Sequence, residues 1–128
     1  MTGRRGQVVD NDPLVEVVLL LPNGERRAAT AVVDTGMQAA IDLPAELFDA
    51  ARRGRVEPAV TELADGTPAA HPRAVVAVEF CGERRFVNAD RLADQVLIGM
   101  TLLRGHRLTV ECREGGPVTI EPLSQSPA

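Results

Sequence analysis

Ala31-Val32-Val33-Asp34-Thr35-Gly36 is the stretch whose reading decides the fold. Three apolar residues end in a carboxylate at the mouth of a tight turn. A carboxylate closing a buried strand is costly unless hydrogen-bond donors surround it. Thr35 brings a hydroxyl, and Gly36, lacking a Cβ, lets backbone N–H groups come close. Taken alone the tripeptide is an ordinary strand-ending turn. Its neighbours give it weight.

Working outward, Leu14–Leu21 is a β-branched and Leu-rich run, and Pro22-Asn23-Gly24-Glu25 is a turn sequence. Arg26–Val33 then returns as the second strand of a hairpin that delivers the chain to Asp34. Val8-Val9 reads as a terminal strand stopped by Asn11-Asp12-Pro13. Downstream, Ala39–Leu43 is a short strand, and Pro44–Arg53 a helix with Gly54 placed to end it. Val60–Leu63, a turn at Ala64-Asp65-Gly66-Thr67, and Arg73–Phe80 form a second hairpin. After the Cys81-Gly82-Glu83 turn come Arg84–Asn88, the apolar Val96-Leu97-Ile98 ending at Gly99, and a helical turn over Met100–Arg104. Leu108–Cys112 and Val118–Glu121 alternate apolar and polar residues across Glu114-Gly115-Gly116, as half-buried strands do. Many short strands with regular turns imply a mainly β barrel or sandwich with one or two short helices.

The 128 residues are a single-domain length, with a core expected over about 8–123 and a frayed tail over 124–128. Hydrophobic residues make up 45% and charged residues 25%, as in a folded domain. With no Trp or Tyr and three Phe, the core must be aliphatic, and aromatic platforms for single-stranded nucleic acid are lacking. The net charge of −4 disfavours nucleic-acid partners, and the basic residues, all Arg, occur as scattered pairs. No apolar run approaches a bilayer span, so no membrane partner and a cytoplasmic home are expected. Cys81 and Cys112 read as free thiols.

A further echo links the two halves of the chain. Ala31–Gly36 and Gln95-Val96-Leu97-Ile98-Gly99-Met100 both run apolar strand residues into a glycine corner. With the apolar run before Asp34-Thr35-Gly36, the Leu63-Ala64-Asp65-Gly66-Thr67 segment and Val96-Leu97-Ile98-Gly99-Met100 followed by Leu102-Leu103, the chain resembles the retropepsin-like aspartic proteases. The likeness covers roughly residues 8–123, with 65 positions from Asp34 to Gly99. It implies a closed β-barrel of the acid-protease type, working as a homodimer on peptide or protein substrates without metal or organic cofactor. Asp34 would be catalytic. Thr35, Gly36, Ile98 and Gly99 would support it, with Thr35 bonding across the dimer axis. Met37, Gln38 and the flap residues Leu63, Ala64, Asp65, Gly66 and Thr67 would line and close the cleft. The family also offers the terminal strands, Val8-Val9 and Val118–Leu123, for the dimer seam. The chain departs from the family at Met37, where viral members carry a small residue, and at Thr101, where many cellular members carry Asp.

The chemistry of the residues agrees with that likeness. No Ser-His-Asp or Cys-His set is evident, and His71 and His106 lack ligand-spaced partners for a metal. Two carboxylates about 3 Å apart share one proton, so one acts as base and the other as acid. One chain holds one such loop, so an enzyme of this kind must be a dimer. Asp42 reads as a helix-start residue, Asp65 as a turn residue and Asp94 as a solvated loop charge, rather than as a second carboxylate. A module that dimerises or binds peptides without catalysis is the competing expectation.

Overall fold

A computed structural model describes residues 3–124; of the tail expected to fray, 125–128 lie outside the described residues. The chain is mainly β. In order it runs β1 (Arg4–Val9), β2 (Asp12–Leu20), β3 (Arg26–Val33), β4 (Ile41–Asp42), α1 (Ala45–Ala51), β5 (Arg53–Glu62), β6 (Pro68–Phe80), β7 (Glu83–Asp90), β8 (Leu97–Ile98), α2 (Met100–Leu103), β9 (His106–Val110) and β10 (Pro117–Pro122). All ten strands join one sheet in the order β5-β6-β7-β4-β8-β3-β2-β1-β10-β9. A further pairing of β2 with β6 makes β2, β3, β8, β4, β7 and β6 a closed circuit. Neither helix among the described residues is long and apolar enough to cross a membrane.

Turn chemistry explains the first hairpins. Asp10 and Asn11 take φ of 50° and 70°, the two consecutive positive values that a tight two-residue hairpin needs. The expected stop at Asn11-Asp12-Pro13 therefore moves back. Asp12 and Pro13 already pair with Val9 and Val8, and the ladder to β3 begins only at Leu14. The second turn is where the sequence puts it: the Gly24 amide donates to the Leu21 carbonyl at 2.9 Å, and Asn23 Oδ1 accepts the Glu25 amide at 2.8 Å.

Helix α1 is shorter than expected. Pro44 is its extended N-cap, and the Arg52 amide makes the last bond, to the Phe48 carbonyl. Two turns already bury Phe48 and Ala51, and Arg53 is taken by the β-ladder opposite Val75. Gly54 does not end the helix. It sits at φ 71° inside β5, where the register shifts between Arg53 and Glu57. That backbone value suits a glycine at a bulge.

The core is aliphatic with two phenylalanines. Leu19, Ile41, Leu43, Phe48, Phe80, Ile98, Leu102 and Ile120 are fully buried. Ile98 and Leu102 bring the segment after β7 into the same cluster as β2 and β3. The terminal strands suggested for a dimer seam lie inside the sheet: β1 pairs with both β2 and β10, and β10 with both β1 and β9. Their backbone edges are satisfied within the chain. The sheet ends at β5 and β9.

Candidate active site

Asp34 follows the last residue of β3, where parallel pairing sets Val32 opposite Leu97 and Val33 opposite Ile98. The two echoing sequence segments thus lie side by side. The Asp34 amide donates to the Ile98 carbonyl and the Val32 amide to the Val96 carbonyl, each at 2.9 Å. The half-exposed carboxylate turns back on its own loop, where Oδ1 accepts the Gly36 amide at 2.9 Å. A Cβ on Gly36 would stand 3.3 Å from that oxygen. Thr35 is exposed and makes no side-chain hydrogen bond among the described residues.

The segment after Asp34 is clasped by the one after β8. Gly99 donates to the Ala40 carbonyl at 3.0 Å and Met100 to the Met37 carbonyl at 2.8 Å. Gly99 is there because nothing larger fits: a Cβ would come within 2.3 Å of the Ala39 carbonyl oxygen and 2.6 Å of that of Met37. Thr101 adds a second clasp, donating both its amide and its hydroxyl to the Gln38 carbonyl. Arg85 in turn donates to the Leu102 carbonyl at 2.9 Å and the Thr101 carbonyl at 3.4 Å, satisfying helix-end acceptors. In the sequence Thr101 stands out only as a departure from the family and Arg85 only as half of a scattered Arg pair. A hydroxyl directly after the Gly99-Met100 corner was the signal for the first; nothing local marks the second.

Of the site residues expected from the sequence, Asp34, Thr35, Gly36, Met37, Gln38, Ile98 and Gly99 are therefore brought together. The residues expected to form a flap make a separate hairpin tip between β5 and β6. There Leu63 donates to the Thr67 carbonyl at 2.8 Å and Gly66 to the Leu63 carbonyl at 2.9 Å. Asp65 is the turn residue the sequence indicated. Its Oδ1 accepts the Thr67 hydroxyl at 2.6 Å and the Thr67 amide at 3.0 Å, bonds that hold its carboxyl below the usual range. No hydrogen bond joins this tip to 34–38 within the described chain. Beside Thr35 lies a mostly apolar cavity of about 270 Å³, bordered by Val8, Val33, Leu108, Val110 and Cys112.

Asp42 is not a helix-start residue. It is buried on β4, and its Oδ1 accepts the amides of Leu92 at 3.1 Å and Ala93 at 3.0 Å, folding the chain that follows β7. Burial raises its carboxyl above the ordinary value, and Asp90 adds to this; the two amides and His71 oppose it. Asp90, its register partner, is also buried. It meets His71 Nε2 at 3.1 Å and Arg73 Nε at 2.6 Å. His71 so belongs to a buried polar cluster that sequence spacing did not announce. Asp94 lies in an exposed loop, as expected. With Asp42 turned to the segment after β7 and Asp65 at the hairpin tip, the chain offers Asp34 as one half-exposed carboxylate on a hydrogen-bonded turn. Comparison of the chain with protein-family models and with curated proteins finds no match to either.

Proposed function

We propose that the chain is one half of a homodimeric, retropepsin-like aspartic endopeptidase, and that the closed circuit of strand pairings is the barrel of that fold. The observation that carries the reading is the Asp34-Thr35-Gly36 loop, bonded through its amide to Ile98 and clasped through Met37–Ala40 by Gly99-Met100-Thr101. A catalytic carboxylate must be held to a fraction of an ångström by elements that do not move, and this pairing supplies that support.

Two copies would set their Asp34 carboxylates together at the axis with one proton between them. The ionised member takes a proton from water, whose oxygen attacks the peptide carbonyl carbon. The protonated member meanwhile gives its proton to the carbonyl oxygen. Collapse of the resulting diol transfers a proton to the leaving nitrogen and breaks the C–N bond, restoring the shared-proton pair. The exposed Thr35 hydroxyl is free to bond across the axis. Met37, Gln38 and the Leu63–Thr67 tip would contact the peptide.

Digestion of a denatured protein at mildly acidic pH, by wild type and Asp34→Asn at equal dimer concentration, tests the reading. Cleavage by wild type alone, blocked by a statine-type mimic of the diol, is expected. Equal activity of the variant would sink it. One observation favours a second reading, a dimerisation or peptide-binding module without catalysis: both terminal strands are already paired within the chain, so the family's usual seam is not on offer. No cleavage by either protein, with binding of peptide retained, would support that alternative.

A further inference from the structure

The two ends of the sheet differ from a third open edge that the strand order conceals. β7 is hydrogen-bonded to β6 along its whole length, but on its other side it meets β4 only at Ala89 and Asp90. Over Glu83–Asn88 that second side has no strand partner. It faces instead a cavity of about 400 Å³, bordered by Ala39, Ala40, Phe86, Asn88 and Thr101. Such a volume falls within the range of ligand sites.

Exposed strand edges are normally blunted against other chains. β5, at the end of the sheet, is blunted: it carries Pro58, a register shift between Arg53 and Glu57, and the carboxylates of Glu57 and Glu62. β7 has neither proline nor bulge in Glu83-Arg84-Arg85-Phe86-Val87-Asn88. What it presents is an aromatic ring and positive charge. Phe86 is 59% exposed, with the guanidinium carbons of Arg84 and Arg53 at 5.1 and 5.8 Å from its ring centre. Among the described residues none of Arg53, Arg84 and Arg85 has a carboxylate partner; Arg53 donates to the Leu20 carbonyl at 2.9 Å and Arg85 to the end of α2, which leaves Arg84 as the guanidinium without a hydrogen bond. The carboxylates nearest in the strand are Glu83, at its far end, and Asp90, already held by Arg73 and His71. The chain as a whole carries −4, so this concentration of positive charge runs against its average.

We propose that the free edge of β7 from Glu83 to Asn88 is a docking site for an extended acidic peptide. The peptide would add as a strand against β7, with the carboxylates of one face meeting Arg84 and Arg53 beside Phe86 and the apolar side chains of the other face lying over Val87, since successive side chains of a strand alternate. Backbone pairing gives such a complex its affinity, and the side-chain pattern gives it selectivity. The site adjoins the clasp of the Asp34 loop at Ala39, Ala40 and Thr101 but does not include Asp34 itself, so it recruits or orients an acidic partner without taking part in hydrolysis.

The test uses Asp34→Asn protein, so that binding is read whether or not the chain cleaves peptides. A fluorescent, capped peptide alternating Glu and Val is titrated beside its Gln/Val counterpart, with anisotropy and backbone amide NMR shifts as readouts. The acidic peptide should bind about tenfold more tightly at low salt, lose that margin as salt rises, and shift the amides of 83–88. Arg84→Ala and Phe86→Ser, both at exposed positions, should each weaken it, and Arg84→Lys should restore part of the loss. Equal affinity for the two peptides, binding of neither, or shifts confined to 34–38 and 63–67 would overturn the proposal.

Discussion

The amide of Asp34 donates to the carbonyl of Ile98 at 2.9 Å, across 64 positions of sequence. That contact ties the candidate site to the second half of the chain. It fixes the parallel pair of β3 and β8, and so brings Gly99 against the backbone of Met37 and Ala39.

A methyl group at Gly99 would collide first with two backbone carbonyl oxygens, which cannot swing aside as the Met37 methyl 2.9 Å away can. Gly99→Ala should therefore lower stability by about 1–3 kcal/mol, with a matching fall in Tm, as overpacking does. Gly36→Ala, whose Cβ meets only Asp34 Oδ1 at 3.3 Å, should cost a fraction of that. Equal melting of Gly99→Ala and wild type would refute the close approach.

Asp42 gives a pH signature. Burial is the largest cause raising its carboxyl, so the folded chain holds this proton more tightly than the unfolded chain does. Its contribution is then full below the ordinary carboxylate value and is lost as pH rises through the raised one. Asp42→Asn keeps an oxygen for the Leu92 and Ala93 amides and carries no charge. The variant should gain in urea midpoint over wild type at neutral pH, and the gain should shrink toward about pH 4. A gain that does not vary with pH would remove the assignment. Asp42→Ala, which leaves both amides unmet, should lose about 1–3 kcal/mol for each.

The Asp90 cluster separates buried from exposed ion pairs. Asp90→Ala leaves the buried His71 and the adjoining Arg73 without their carboxylate, and a loss of about 3 kcal/mol is expected. Arg113→Ala, breaking the solvent-exposed pair with Glu111, should change stability by less than about 1 kcal/mol. Denaturant titration of both variants checks the contrast; similar losses would contradict it.

The two thiols should differ in reactivity. Cys112 is exposed, whereas Cys81 is buried and burial pushes its thiol up. A disulfide-exchange reagent should modify one thiol of the native chain and reach the second only on unfolding. Cys112→Ser should leave the native protein unreactive. Comparable rates at both cysteines would show that β6 and its turn open readily.

Much of this was legible along the chain. The strands leading to Asp34, the turns at Asn23-Gly24 and Asp65-Gly66, and the apolar run before Gly99 all appear where the residues place them. The helix after Pro44 looks longer in the sequence because Gly54 stands where a helix stop would. Only the ladder partner Val75 shows that Arg53 belongs to a strand. Asp42 misleads for a similar reason. A carboxylate before Leu-Pro looks like a cap until Leu92 and Ala93, about fifty positions away, are seen to claim it.

The sequence by itself determined the β character, the turns and the presentation of Asp34 on a tight loop. Those follow from φ preferences and from apolar alternation between residues adjacent in the chain. Tertiary structure alone decided that Ile98 and Gly99 clasp that loop, that Asp42, His71 and Asp90 are buried together, and that β1 and β10 are spent within the chain. Such contacts join residues far apart in sequence, and their energies depend on packing and desolvation that neighbouring residues do not encode.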